Sequence, residues 1–565
     1  MTAPKRWKKV LPAVAIAASM SLFAACSSGT SGDKGQSGAA EGGKTGPTLT
    51  IFAGTQTPIV SNFNPYSPTL LPGTLGSIYE PLFYYNKAQA DEPVALIGEK
   101  AEWADDGMSL DIDLRKDVKW NDGEDLTAED VVYSFTNEAV IMDYVEKAEA
   151  VDDHKVRLTF NTPSFTNEYS LLGATYIVPE HVFSDLDDMV TFANDEAPVG
   201  SGPFMLDKFT DASYTMKKND NYWDKDRPGI NAIQYLGIDG NSSAESLFQA
   251  GQLDYSTMFV PNPDTLTSTG LGYILVQSPN IVAVLTCSNA ELGCEGAQTD
   301  STIRKAFNVA IDRSEINEKA FYGFAQNAAP TFTKPNRDEQ WIAEGMPTSV
   351  PETGDVEAAK TIMEEGGYTL GSDGIYEKDG QRAAFELVSV EGWSDNNAAG
   401  ELMEAQAKLA GIEAKHVTVT LDEFTDMRLT GKYQMAISAL FGTSISDPYT
   451  IYRDSFTTAF TTPVGTPLAA KQLNYARYSN PIVDAAVVTA GETNDKEVKK
   501  EAYAQIQEQI IEDMPYIPMF HGGSQTFYNQ TDFEGWPTEK DLYAFPASWD
   551  GISSAYVMYM LTYKM

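Results

Sequence analysis

Cysteine and histidine are scarce, with three Cys and four His in 565 residues, and the 40 Lys plus Arg are outnumbered two to one by 80 Asp plus Glu. Three cysteines exclude a disulfide-framework scaffold and a cysteine-rich zinc protein. The histidines (His154, His181, His416, His521) stand far apart with no HxxxH or HExxH spacing, which argues against a zinc hydrolase and gives no metal site. A net charge of −40 repels phosphate backbones and anionic lipid heads, so no nucleic acid and no polybasic membrane contact is expected. GxSxG is absent, and acid pairs such as Glu391 and Asp395 have no catalytic setting, so neither an enzyme nor a cofactor is expected. What is present is 42% apolar and 11% aromatic residues, among them 8 Trp, enough for large cores in three or four units of about 150 residues each.

The first 48 residues read as an address. Met1 to Lys9 carries Lys5, Arg6, Lys8 and Lys9 with no acid, and Val10 to Ala25 is largely apolar, broken by Pro12. That is a secretory signal peptide (1–25), too short for a stable membrane span. It ends in Leu22-Phe23-Ala24-Ala25-Cys26, which resembles the bacterial lipobox, although Phe23 stands where Leu is usual; Cys26 is the expected lipidated N-terminus. Ser27 to Thr48, with seven Gly and four Ser, is a flexible tether. Inside it Gly38 to Thr45 (GAAEGGKT) fits the P-loop pattern but lacks the preceding strand and following helix that would aim backbone N–H groups at phosphates. No other stretch approaches 18 uninterrupted apolar residues, so the chain reads as a soluble body anchored by lipid to the extracytoplasmic face of a bacterial cell membrane. In that oxidising compartment Cys287 and Cys294 are either one small disulfide loop or two free thiols. Beyond the signal peptide 36 basic residues face 80 acidic ones, a charge of −44.

From Leu49 the pattern is mixed α/β. Leu49–Phe52 and the alternating Leu110-Asp-Ile-Asp-Leu predict strands. Thr127 followed by Asp130 predicts a capped helix start, and apolar residues at 303, 306, 307, 310 and 311 predict an amphipathic helix. Asp379-Gly380 predicts a hairpin turn. Val498, Ala502, Ile506 and Ile510 predict a long helix stopped at Met514-Pro515.

Eight short segments occur in a particular order: Ile78-Tyr-Glu-Pro-Leu-Phe83, Leu114-Arg-Lys-Asp-Val-Lys-Trp-Asn-Asp-Gly123, Leu126-Thr-Ala-Glu-Asp-Val131, Gly200-Ser-Gly-Pro-Phe204, Asn221-Tyr-Trp223, Phe248-Gln-Ala-Gly-Gln-Leu-Asp254, Ile303-Arg-Lys-Ala-Phe-Asn-Val-Ala-Ile-Asp312 and Pro515-Tyr-Ile-Pro518. Together they resemble the ABC importer solute-binding proteins of the peptide/nickel/oligosaccharide class (solute-binding family 5). The resemblance implies a two-lobe, periplasmic-binding-protein-like α/β fold (type II, cluster C) that closes on its ligand as a hinge. It implies lobe 1 from 49–311 plus 528–565, with an extra subdomain at about 95–220, and lobe 2 at 312–527. It further implies a monomer that passes its ligand to permease subunits and does no chemistry.

Peptide binders of this family place an Asp three residues after a Trp and four before a Pro, to pair with the peptide amine. Here Phe441 replaces that Trp and Ser444 the Asp, ahead of Pro448. A hydroxyl cannot supply the charge-assisted bond an ammonium needs in a dry pocket, unless Asp447 substitutes. Asn62-Phe-Asn-Pro-Tyr-Ser-Pro68, Gly392-Trp-Ser-Asp395, and Gly535-Trp-Pro-Thr538 with Leu542-Tyr-Ala544 resemble the cello-oligosaccharide-type branch. A pyranose needs flat aromatics for its C–H face and polar groups for its hydroxyl rim. Trp393, Trp536 and Phe441 are the candidate platforms, and Asn62, Asn64, Asp395, Asn396 and Ser444 the candidate rim. Asn62 and Asn64 are equally readable as turn residues before Pro65. Trp103, Trp120 and Trp223 sit in segments shared with peptide binders and read as structural. The expected ligand is an oligosaccharide, β-linked and of gluco- or manno-type; an oligopeptide is the alternative, and a hydrolase on this scaffold a remote third.

Overall fold

Two long strands, Gly272–Thr286 and Tyr516–Tyr528, run antiparallel through the molecule and set its architecture. The computed structural model describes residues 46–564 apart from 68, 138, 140, 141, 187, 470 and 471; the signal peptide, Cys26 and nearly all of the tether lie outside the described residues. The two strands pair from Gly272 against Tyr528 to Gln277 against Gly523, then again from Ile281 against His521 to Leu285 against Tyr516. The break falls at Ser278-Pro279-Asn280, where proline has no N–H to give the ladder, opposite Gly522-Gly523. Each strand therefore serves two cores. Ile274, Val276 and Tyr528 pack in lobe 1 with Leu49, Ile51 and Tyr235, whereas Ile281, Leu285 and Tyr516 pack in lobe 2.

The pair sits in the middle of an 11-stranded sheet. On the lobe 1 side follow Tyr255–Thr257, Leu49–Phe52, Ala232–Leu236, Ser213–Lys218 and Phe204–Phe209; on the lobe 2 side Met435–Leu440, Ala384–Val390 and Glu413–Val419. The last three are mutually parallel; the apolar runs of Met435–Leu440 and Ala384–Val390 are buried on both faces, as inner parallel strands require, whereas the edge strand Glu413–Val419 is half exposed. One face carries helices Ser301–Ala310 and Ser394–Leu409 over Val284, Ile437 and Ile517; the other carries Tyr449–Phe456, Pro481–Gly491 and Lys496–Asp513 over Leu285, Val388 and Ala436. A separate four-stranded antiparallel sheet, ordered Gly98–Trp103, Ser109–Leu114, Lys155–Phe160, Val145–Asp152, forms the subdomain around the fully buried Trp120. Its strand Ser109–Leu114 buries Leu110, Ile112 and Leu114 on one face, each contributing about 1.5–3 kcal/mol.

Local signals carried well. Thr127 N–H donates to Asp130 at 2.9 Å, helix Ser301–Ala310 buries 303, 306, 307 and 310, and Asp379 and Gly380 take φ of 53° and 80° in the turn joining Lys378 to Gln381, as a hairpin of this handedness needs. The helix Lys496–Asp513 ends at Met514, but its buried face runs Lys499, Ala502, Tyr503, Ile506, Gln507, Ile510, and Val498 is exposed. A strict four-residue interval drifts about 40° per step against 3.6 residues per turn, so Val498 has rotated off the face set by Ile510.

The lobe boundaries move. The crossings lie at 278–280 and 521–523, not at 311/312 and 527/528, because each crossing occurs inside a continuous strand; helix Ser301–Ala310 packs in lobe 2. The strands Phe204–Phe209 and Ser213–Lys218, expected inside the subdomain, join the long sheet instead. Cys287 and Cys294 are joined as a disulfide, Cα to Cα 5.4 Å.

Candidate functional site in the cleft between the lobes

The parallel strands of lobe 2 end at the hinge, so the loops that follow them open onto the cleft, the place where open α/β sheets take ligands. Two cavities flank the hinge and share Ala325. One, of ≈ 510 Å³, lies among Phe259, Tyr322, Phe324, Trp393, Asp395 and the hinge pair Gly522-Gly523. The other, of ≈ 880 Å³, lies among Asp91, Gln277, Lys334, Arg337, Glu539 and Leu542. Lobe 1 supplies Phe259, Asp91, Gln277, Glu539 and Leu542; lobe 2 supplies the rest, so each cavity has a wall from both.

The smaller cavity is aromatic. Phe259 of lobe 1 meets Tyr322 of lobe 2 with ring centroids 5.3 Å apart and Phe324 at 6.3 Å. Phe259, Tyr322 and Trp393 are 46%, 54% and 38% exposed, an unusual concentration of solvent-facing ring area in one place. Local chemistry holds them out. Tyr322 takes φ of 56° just past helix Arg313–Ala320, and Trp393 follows Gly392, at φ 84°, in the tight turn between strand Ala384–Val390 and helix Ser394–Leu409. Asp395, in the first turn of that helix, sets a carboxylate on the cavity wall where the helix dipole favours it.

The larger cavity is polar, and its floor is fixed by a buried ion pair. Arg337 Nε and Nη2 donate to Asp338 at 2.7 and 2.8 Å, both side chains almost wholly buried. The guanidinium also donates to Thr443 O at 2.9 Å and, across the cleft, to Lys87 O of lobe 1 at 3.0 Å. Lys334 and His521 lie beside this pair. Burial pushes the Lys334 ammonium down to about 8 and the His521 imidazole to about 4, with the Lys334 and Arg337 charges adding to the latter. His521 Nδ1 pairs with Ser278 O at 2.9 Å, tying the second crossover to the first.

The sequence-predicted residues do not converge on one spot. Trp393 and Asp395 line the aromatic cavity; Asn396 is buried one position further along the helix. Phe441 is 54% exposed beside the hinge, and Gly442 follows so tightly that a Cβ there would lie 1.8 Å from Pro279 O. Ser444 lines a third gap between the lobes, of ≈ 610 Å³, with Tyr144, Tyr169 and Arg453. Asp447 borders a fourth, of ≈ 350 Å³, but its carboxylate is taken up by Lys499 Nζ at 2.8 Å, the Tyr503 hydroxyl and the Tyr449 N–H at 2.9 Å. That carboxylate is saturated by partners of this chain.

One expectation is corrected, and the choice between rim and turn, open for two asparagines, falls to the turn. Trp536 is 8% exposed, stacked on Tyr528 at 4.9 Å and donating its indole N–H to Asn529 O, so it belongs to the lobe 1 core; adjacency to Gly535 exposes backbone, not the ring. Asn64 is fully buried, donating to Met189 O and Phe192 O and accepting from Tyr66 N–H, and Asn62 donates to Ser67 and Thr69. Both organise the turn around Pro65. Asn64→Ala is expected to destabilise lobe 1 by about 2–3 kcal/mol, since it orphans buried carbonyls, and to leave ligand affinity unchanged when binding is measured on the folded fraction. Conversely, Phe259, Tyr322, Phe324, Gln277, Lys334 and Arg337 escaped the sequence reading. Tyr322-Gly323-Phe324 alone carried a signal, an aromatic pair around a turn glycine; the others are ordinary in sequence and gain meaning only from their neighbours.

Comparison with known proteins agrees with this architecture. The profile for bacterial extracellular solute-binding proteins, family 5 (middle region), matches residues 92–462. The oligopeptide-binding protein AppA of Bacillus subtilis is 24% identical over 499 residues, covering 83% of this chain and 86% of its own; protein XP55 of Streptomyces lividans is 28% identical over 477 residues, covering 81% and 78%. Among solved structures, a periplasmic oligopeptide-binding protein of an oligopeptide ABC transporter from Thermotoga maritima superposes with TM-score 0.80 at 24% identity over 92% of this chain and 99% of that one; its mannohexaose-bound form gives 0.73 over 92% and 98%. Among the described residues no helix is long and apolar enough to cross a membrane. Two lobes on one hinged sheet, a cleft walled by both and a profile match across two thirds of the sequence lead to one statement: this chain belongs to the family 5 extracellular solute-binding proteins of ABC importers.

Proposed function

We propose that this protein is an exported, lipid-anchored receptor, monomeric and without catalytic activity, that captures an oligosaccharide of the β-linked gluco- or manno-type between its lobes and delivers it to an ABC permease. The observation that carries the reading is the exposed aromatic wall of Phe259, Tyr322, Phe324 and Trp393 in the hinge cavity. Its rings offer flat faces to sugar C–H groups, and Asp395 offers an acceptor to the hydroxyl rim. Ser444 at the amine-anchor position and the saturated Asp447 add to it, because a peptide ammonium finds no free partner in that loop. The large negative charge suits a tethered body held off an anionic bilayer.

An oligopeptide is the second reading. It is favoured by the Bacillus subtilis relative being an oligopeptide-binding protein and by the exposed carboxylates of Asp91 and Glu539 in the cleft. Calorimetric titration with cello-, manno- and xylo-oligosaccharides against a pool of peptides separates the two. Heat with a sugar series supports the proposal; heat with peptides and none with any sugar sinks it. Trp393→Ala is expected to weaken sugar binding about 30-fold, the loss of one stacking anchor, with a small change in stability because the ring is partly exposed. Unchanged affinity in that variant removes Trp393 from the site.

A further inference from the structure

The ≈ 880 Å³ cavity holds an unpaired cation. Lys334 is only 8% exposed, yet among the described residues no hydrogen bond or ion pair reaches its ammonium. Its backbone is fixed, the N–H donating to Asp338 Oδ2 at 3.1 Å and the carbonyl accepting from the Asp338 N–H at 2.9 Å, so the side chain leaves a rigid base. The one buried carboxylate nearby, Asp338, is already bidentate with Arg337. The other acids on the wall are not partners either: Asp91 and Glu539 are exposed, and Asp91 accepts from Asn86 Nδ2 at 2.7 Å. A second orphan faces the same space. Gln277 Oε1 is buried without a donor, and so is Nε2 of His521, beside Lys334.

An ammonium that opens only onto the cavity, with no counter-charge in contact, is poorly compensated, and an amide oxygen buried without a donor is costly. A ligand that places an anionic oxygen on Lys334 and a hydroxyl on Gln277 relieves both. We infer that the cavity around Lys334 and Gln277 is a subsite for a carboxylate-bearing end of the ligand, so that the favoured cargo is an acidic oligosaccharide ending in a uronate residue. This rests on the oligosaccharide reading above. The aromatic cavity, which shares the Ala325 wall, then takes the neutral sugars of the same chain. The overall negative charge does not forbid an anion, because exposed charges are screened beyond about 8 Å at physiological salt whereas Lys334 acts at contact. Occupation also holds the proton on Lys334, whose affinity burial has lowered.

The test is calorimetry on the full-length lipoprotein, wild type beside Lys334→Met and Lys334→Arg, with a neutral manno- or cello-oligosaccharide, the same oligosaccharide capped by a uronate, and a tripeptide with free or amidated C-terminus. The expected result is a 10- to 100-fold tighter grip on the uronate-capped sugar, about the value of one charge-assisted hydrogen bond. Lys334→Met is expected to erase the preference, so that the capped and uncapped sugars bind that variant alike, and Lys334→Arg to keep most of it. Proton uptake on binding the acid, absent with the neutral sugar, is expected above pH 8. Neutral and acidic sugars bound equally, or a preference that survives Lys334→Met, overturns the subsite and leaves the oligosaccharide reading standing. Binding of tripeptides alone, with a Lys334-dependent preference for the free C-terminus, overturns the sugar and keeps the carboxylate subsite. A far-ultraviolet melt on each variant establishes that it is folded before its affinity is read.

Discussion

Asp338→Ala is expected to destabilise lobe 2 by about 3–5 kcal/mol, because it strands the Arg337 guanidinium in a place where water cannot replace the lost carboxylate. The pair is buried on both sides, so little of its interaction is screened, and Asp338 also accepts the Lys334 backbone N–H. The consequence reaches across the cleft. Arg337 holds Thr443 in the loop bolted to the hinge and Lys87 O in lobe 1, so a guanidinium in search of a new partner disturbs both walls of the larger cavity. Breaking one partner differs from removing both. The double variant Arg337→Met, Asp338→Ala replaces the pair by apolar volume and is expected to recover most of the stability while lacking the inter-lobe bond to Lys87. Urea unfolding followed by far-ultraviolet circular dichroism reads the change in stability of each variant. A single variant within about 1 kcal/mol of wild type, or a double variant as unstable as the single, would overturn the account.

The second large effect is on pH dependence. Glu80 is 2% exposed; one carboxyl oxygen accepts from the Tyr222 hydroxyl at 2.8 Å and the other has no partner among the described residues. Burial pushes its pKa up to about 8 from an ordinary 4.5, so the folded protein keeps a proton that the unfolded chain has released. Between those values the native state binds more protons than the unfolded one, and stability falls as pH rises, by about 5 kcal/mol over the whole interval. His521 works in the opposite sense. Held neutral down to about 4, it makes stability rise from pH 4 to 6.5, by about 3 kcal/mol, since there the unfolded chain binds the extra proton. The two slopes oppose one another below pH 6.5, and the Glu80 slope stands out between 6.5 and 8. Glu80→Gln, which carries no charge at any pH, is expected to abolish that decline and to exceed wild type in stability at pH 8.5 by several kcal/mol while matching it near pH 5. Unfolding midpoints for both proteins across pH 5 to 9 decide it, and a wild-type midpoint that is flat from 6.5 to 8 counts against a protonated Glu80.

How much of this was legible beforehand varies with the range of the interaction responsible. The capped start at Thr127, the Asp379-Gly380 turn and the buried stripe of Ser301–Ala310 depend on neighbours within a few residues, and they were read correctly from those neighbours. The family-wide order of segments, Ile78 to Pro518, carried the fold class, since each motif marks a fixed place in the two-lobe architecture. The lobe boundaries were misread because the crossings fall inside Gly272–Thr286 and Tyr516–Tyr528, and a strand that leaves one core for another keeps its apolar alternation without a break in composition. Only Pro279 and the Gly522-Gly523 pair marked the place.

The site divides the same way. Sequence alone determined that this is a large, acidic, mixed α/β chain of the family 5 type and that Trp393 sits in an exposed turn beside Gly392; these follow from composition, motif order and near neighbours. Tertiary structure decided what those residues amount to. It buried Trp536 against Tyr528, spent Asn64 on the backbone of residues 189–192, saturated Asp447 with Lys499, and gathered Phe259, Tyr322 and Trp393 from three distant segments into one wall. It also left the Lys334 ammonium with no hydrogen bond or ion pair among the described residues, by giving Asp338 to Arg337. The physical reason is common to all five: whether an aromatic ring or a charged group is free to meet a ligand depends on which partners long-range packing has already assigned to it, and that assignment is written in pairs of residues up to hundreds of positions apart.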